Sequence, residues 1–359
     1  MVTTPDCTFR QESQLPVSAR SVRPARASAL AVSLMFALSM VAAATGLPLV
    51  APSGSHPTAA TLHRAGQLIE WGRWKEARSL VQEQLAKSPK DAELLAYDAH
   101  IQIGFGHDAA ALKEARRAVK LDPTCALCHL YLGEALGQKA KRESKVFALI
   151  QVGKIKRQLT LASRYGPDLG DVHWGWIRFN LQVPPVAGGN VKDAFAQARA
   201  LGRIDPVDGL IAQATIDLAL GRPGAAMAAY QQAAGQYPND PRAIFEVGLT
   251  LFNRQQYARA AGYLRRARDL QPQSTLYAGY YAATLIHLRQ HQRARHVIAA
   301  TQPLHPDSRL ADYLAAKALK SVGQDYAWAR RLVSAYLAAA PEPNQPTVHQ
   351  ARELLASLG

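Results

Sequence analysis

The residues with most chemistry in reach are Cys125, Cys128 and His129, in the string Cys-Ala-Leu-Cys-His. As a string this is the c-type haem attachment pattern: two thiols for thioether bonds and an adjacent imidazole for the iron. The same two cysteines can instead pair as a disulfide. On the first turn of a helix, Cys-x-x-Cys brings its Cα atoms to about 5–6 Å, within bridging range. A helix N-terminus also lowers a thiol pKa, so a redox-active pair is a third reading and two unpaired core thiols a fourth. No second Cys/His pair stands at ligand spacing, which argues against zinc or any other metal. The eleven histidines are scattered; His287, His291 and His296 form the one cluster, without an acidic partner at a ligand position. Neither a Gly-rich phosphate loop nor a nucleophile elbow occurs. The expectation is therefore no enzyme and no cofactor. A redox or haem protein using Cys125, Cys128 and His129 is the alternative.

The elements around these residues are set by a period. Prolines recur at Pro89, Pro123, Pro167, Pro206, Pro238, Pro272, Pro306 and Pro341, in steps of 34, 44, 39, 32, 34, 34 and 35. With each proline as position 32 of a unit, small residues fall at positions 8, 20 and 27: Ala99, Ala111 and Ala118, or Gly248, Ala260 and Ala267. Larger apolar residues fill positions 7, 11 and 24, as Val247, Leu251 and Leu264 do. A turn residue falls near position 15, at Gly72, Gly106, Gly189, Gly221 and Gly323. Two antiparallel helices approach closely only where their crossing carries Ala or Gly. The proline is expected to close each second helix, since it cannot continue one. Composition agrees: of 359 residues 48% are hydrophobic and 7% aromatic, with much alanine, which suits close-packed helices rather than a β-sandwich.

On these residues the chain resembles the tetratricopeptide repeat (TPR) family over about 58–341, most closely at 92–123, 241–272 and 275–306. The resemblance implies an all-α, right-handed helix-turn-helix solenoid of about eight repeats, closed by a C-terminal capping helix within 342–359. Two units are longer than the period, with insertions near 137–155 and 182–190, in adjacent turns that should lie near each other. The second holds Pro-Val-Ala-Gly-Gly, read as a permissive helix start or as an anion site at the next helix N-terminus. In this family, positions 2, 5, 9, 12 and 13 of each first helix line the concave groove. Carried onto this sequence, the resemblance implies a partner-binding groove presenting Trp174, Arg178, Arg242, Phe245, Asn253, His287 and Tyr313. Aromatic anchors with a few oriented donors suit capture of a peptide or protein partner. The Lys/Asn pattern of the chaperone-tail carboxylate clamp is not reproduced. In the same register, the cysteines open a repeat helix and His129 falls at a packed position 4, which argues against haem.

The N-terminus points to export. Arg10, Arg20, Arg23 and Arg26 precede the uncharged run Ala27–Ala44, which ends in three alanines. That is a signal peptide over 1–44, followed by a linker over 45–57. Together with an extended third unit, it makes the chain similar to exported bacterial TPR-repeat proteins. The rest would be periplasmic or secreted. The alternative is an uncleaved inner-membrane anchor facing the periplasm, because the uncharged run continues to Val50. Removing 1–44 takes the formal charge from +15 to +13. The excess gathers in 139–164 and in nine arginines between Arg242 and Arg295. Such faces keep an Ala-rich solenoid soluble or meet an anionic envelope surface. Nucleic acid is not expected as a partner.

Overall fold

The computed structural model describes residues 57–142, 145–305, 308–343 and 345–359. The leader, the anchor alternative and all of the linker but Pro57 lie outside the described residues. Within them the chain is all α-helical. Eight antiparallel hairpins follow one another: α1 (Pro57–Glu70) with α2 (Trp74–Lys87), α3 (Ala92–Gly104) with α4 (Asp108–Leu121), α5 (Ala126–Arg142) with α6 (Lys145–Tyr165), and α7 (Gly170–Gln182) with α8 (Val191–Ile204). Then come α9 (Pro206–Ala219) with α10 (Pro223–Gln236), α11 (Pro241–Asn253) with α12 (Tyr257–Leu270), α13 (Thr275–His287) with α14 (His291–Thr301), and α15 (Leu310–Val322) with α16 (Tyr326–Ala338). A final helix, α17 (Val348–Ala356), starts at a capping box made by Thr347 and Gln350.

The two helices of a hairpin have different burdens. The first is buried on most sides: in α13, ten residues from Thr275 to Ile286 are buried. The second buries only a stripe, such as Ala260, Leu264 and Ala267 in α12. First helices therefore form an inner layer and second helices an outer one. The small residues sit at the crossings. Ala99, Ala111, Ala118, Ala260 and Ala267 have no exposed surface, and a Cβ on Gly248 would come within 2.8 Å of the Leu264 side chain. Each repeat thus packs mainly on its neighbours, the linear logic of a solenoid.

Three expectations change. Pro206 opens α9 at its first turn rather than closing α8. A single residue, Asp205, joins these helices, and they cross so tightly that a Cβ on Gly209 would lie 2.4 Å from the Gly202 Cα. The first insertion is not a loop: it lengthens α5 to 17 and α6 to 21 residues. In the second, the left-handed turn residue is Gly188 at φ 100°, not Gly189. Gly189 is needed for another reason, since its Cβ would strike the Val183 carbonyl oxygen. The insertions do approach each other: a Cβ on Gly188 would stand 3.9 Å from Lys156 Nζ. The following helix N-terminus is already served, because Asn190 accepts the Lys192 N–H at 2.9 Å.

The turns within hairpins place a left-handed residue every 34 positions, at Gly221, Gln255, Arg289 and Gly323. An L-side chain there costs about 1 kcal/mol. Gln255→Gly is therefore expected to raise stability by about 0.5–1 kcal/mol in a thermal melt, the gain being trimmed by the looser unfolded glycine.

Candidate partner-binding groove

Cys125 and Cys128 open α5 and are joined by a disulfide, with Cα atoms 5.3 Å apart. The Cys125 sulfur accepts the Cys128 N–H at 3.0 Å, so it takes the role of an N-cap side chain. His129 is buried, and both its ring nitrogens are engaged, Nδ1 with Gln158 Oε1 at 2.7 Å and Nε2 with the Pro123 carbonyl at 2.9 Å. In this state the site offers neither a thiol for a thioether nor a nitrogen for iron. The ring closed by the disulfide is short, so the bridge should contribute only about 2 kcal/mol through the unfolded chain. A melt of Cys125→Ser/Cys128→Ser beside the wild type checks that figure.

The groove residues separate by environment. Trp174 on α7 and Phe245 on α11 are buried, and Phe245 stacks on Tyr277 at 4.4 Å. Tyr313 on α15 is at the edge of burial and tilts onto Tyr336 at 5.1 Å. His287 ends α13 with its ring parallel to Tyr257 at 4.0 Å. Burial, then Arg289, lowers its pKa. Asn253 is exposed at the end of α11. Three of the expected anchors therefore serve the core between repeats.

Arg242 is engaged by the protein itself. Its Nη1 meets Asp208 Oδ1 at 2.8 Å, while Nη2 meets Asp205 at 2.9 Å and Asp240 at 2.6 Å. Asp205 and Asp240 are also the N-caps of α9 and α11. One guanidinium thus ties two helix starts in successive repeats, with Asp208 wholly buried beside it. Burial pushes the Asp208 carboxyl up, Arg242 opposing.

Arg178 differs. It is half-buried on α7, and among the described residues it makes no hydrogen bond or ion pair within reach. Around it stand Asp171 and the Glu134–His100 pair, joined at 2.8 Å. Burial works to raise Glu134, but His100 and then Arg178 outweigh it and hold the carboxyl at about 2. Asp171 is raised by burial, with His100 and Arg178 opposing. Two further carboxyls, Glu246 and Glu70, are pushed by burial to about 7.

Glu70 belongs to the first hairpin, yet it senses Arg242 and Gln271. The ends of the solenoid meet. The Lys75 N–H, at the start of α2, donates to Glu342 Oε2 at 3.0 Å, and Lys75 Nζ donates to the Ala339 carbonyl at 3.3 Å and to that of Ala340. Glu342, after α16, is buried and acts as a cap supplied from 267 positions away. Gln345 continues this polar seam, donating to Ser308 Oγ at 2.8 Å.

No protein-family model matches the sequence, and no curated protein does. Solved structures match. Yeast Tom70 superposes with a TM-score of 0.62 at 14% identity, over 92% of this chain and 71% of that one. The fold is a tetratricopeptide-repeat solenoid. A thermophilic TPR protein of Thermus thermophilus, TTC0263, aligns at 22% identity over 54% of this chain and 98% of its own, with a TM-score of 0.46. The APC/C hetero-tetramer Cut9–Hcn1 aligns at 15% identity over 84% of this chain and 55% of that one, with a TM-score of 0.45.

Within the TPR solenoid, His100/Glu134 and Asp208/Arg242 are each pairs at one repeat position, 34 residues apart. The proline register did not reveal them, but reading opposite charges one period apart would have. The Lys75–Glu342 contact has no such signal. Among the described residues no group of three His, Cys, Asp or Glu is placed to hold a metal ion, and no helix is long and apolar enough to cross a membrane.

Proposed function

We propose that this chain is a non-enzymatic, exported interaction scaffold whose TPR groove holds an extended segment of a protein partner. Arg178 carries the reading. Its half-buried guanidinium meets Glu134 and Asp171 only through charge and makes no direct hydrogen bond among the described residues, so its donors are open to the oxygen acceptors of a bound segment. The Glu134 and Asp171 carboxylates near Arg178 add acceptors for backbone N–H groups. An extended segment suits the site better than a folded domain, because the first hairpin meets the loops of later repeats and narrows the approach. The export half of the reading rests on the Arg-then-apolar N-terminus. Its localisation is periplasmic or secreted, with inner-membrane anchoring as the other outcome.

A photo-crosslinking residue at Arg178 or Asn253 is expected to capture a discrete partner band in cells. One at Arg266, on the outer helix α12, is not. Equal bands at all three positions, or none at the inner ones, would refute groove binding. The intact mass of the protein from the cell envelope decides the export half: a chain starting after Ala44 supports cleavage, a chain keeping 1–44 in the membrane fraction supports the anchor, and cytoplasmic full-length protein overturns both.

A further inference from the structure

Three of the nine arginines between Arg242 and Arg295 converge on a pocket that the groove reading does not use. It opens between the outer helices α12 and α14, with α13 as its floor, and has a volume of about 450 Å³. Tyr281, Leu285 and Val297 make an apolar base; Arg265 and Arg268 enter from α12, and Arg293 and His296 from α14. No acidic side chain lines it.

Tyr281 organises two of the guanidiniums. Arg268 lies over its ring at 5.1 Å, and Arg293 Nη2 donates to its hydroxyl at 3.4 Å. Asp269 pairs with Arg268, and Gln290 accepts from Arg293 Nη1, so both arms are held. Arg265 and His296 make no hydrogen bond or ion pair among the described residues. Three guanidiniums against the single Asp269 carboxylate leave the concavity cationic, which favours an entering anion. A guanidinium fork pairs two oxygens of a phosphate or of a carboxylate, but a phosphate carries a further oxygen and more charge for a second and third guanidinium. The volume falls in the range of small-molecule sites, and the Tyr281–Leu285–Val297 base offers contact to a carbon body attached to the phosphate.

We propose that this pocket binds a phosphate ester, its phosphate held by Arg265, Arg268 and Arg293 and its body resting on Tyr281. Such an ester reaches the site either as a free solute or as the headgroup of an anionic phospholipid. The site lies on the outer layer, so it can be filled independently of the groove.

The test is calorimetric titration of inorganic pyrophosphate into the purified chain at low chloride. One site is expected, weakened about tenfold or more in Arg265→Ala/Arg293→Ala. Both side chains are exposed, so the variant should melt like the wild type. Arg259→Ala, on α12 outside the pocket, is expected to leave the affinity unchanged. No binding, unchanged affinity in the double variant, or the same loss in Arg259→Ala would overturn the proposal. Flotation with phosphatidylglycerol and phosphatidylcholine vesicles then separates the sources. Binding to the former alone, competed by pyrophosphate and lost in the double variant, marks a headgroup. Pocket-dependent pyrophosphate binding without flotation marks a soluble ester.

Discussion

Arg242→Ala is expected to lower the unfolding free energy by about 3–5 kcal/mol, the range for removing one partner of a buried ion pair. The cost is not the loss of favourable bonds alone. Asp208 is wholly buried and keeps one oxygen at 2.8 Å from Arg242. Without the guanidinium it must stay charged in a poorly solvating site or take up a proton. Asp205 and Asp240 would still cap α9 and α11, since Asp205 accepts from Val207 and Asp208 and Asp240 from Arg242 N–H, a backbone group that the variant keeps. The damage should therefore be confined to the junction between the fifth and sixth repeats. Adding Asp208→Asn to Arg242→Ala removes the stranded charge and is expected to restore about half the loss. Arg242→Lys is expected to rescue little, because an ammonium cannot present the fork that reaches three carboxylates. Urea unfolding followed by circular dichroism reads all four chains. An Arg242→Ala loss under about 1 kcal/mol would show that the cluster behaves as a surface network.

The second large effect is a fall in stability as pH rises from about 4.5 to 7. Glu246 and Glu70 have folded pKa values of about 7, raised by burial from 4.5. In that window the folded chain holds protons that the unfolded chain has released, so unfolding releases protons and is favoured by higher pH. A group moved this far accounts for roughly 3 kcal/mol when fully buried, and Asp208 shifts in the same direction. Glu134 acts with the opposite sign. Its carboxyl is held at about 2, so its contribution is present above about 4.5 and is lost as pH falls toward 2. Together they place the stability maximum near pH 4.5–5. Unfolding midpoints measured across the range from mildly acidic to mildly basic pH check this, and a midpoint that climbs as pH rises toward 7 contradicts it. Glu246→Gln should flatten the slope without loss at neutral pH, because glutamine keeps the shape and carries no charge.

The clustering of carboxylates explains a contrast in the composition. The chain has 42 basic and 27 acidic residues, yet Glu134, Asp171, Asp205, Asp208, Asp240 and Glu246 are carried by first helices or their caps. The outer helices carry the arginines that line the phosphate-ester pocket. A cationic outside around an acid-rich inner layer is what the net charge alone conceals.

By itself the sequence determined the helical repeat, its period and its close-packing register. These depend on short-range sterics: Ala99 and Gly248 sit where they do because no larger residue fits the crossing, and neighbouring repeats share one geometry. Contacts one period apart, such as His100 with Glu134, are written in the same way and need only the correct column. Only the tertiary structure decided that Arg242 is shared among three aspartates, that Trp174 and Phe245 serve the core, that Arg265, Arg268 and Arg293 meet over Tyr281, and that Lys75 reaches Glu342. Each depends on side-chain placement or on the sum of small rotations between repeats. A few degrees at each junction, compounded over eight hairpins, settle whether the two ends touch, and no local pattern of residues encodes that sum.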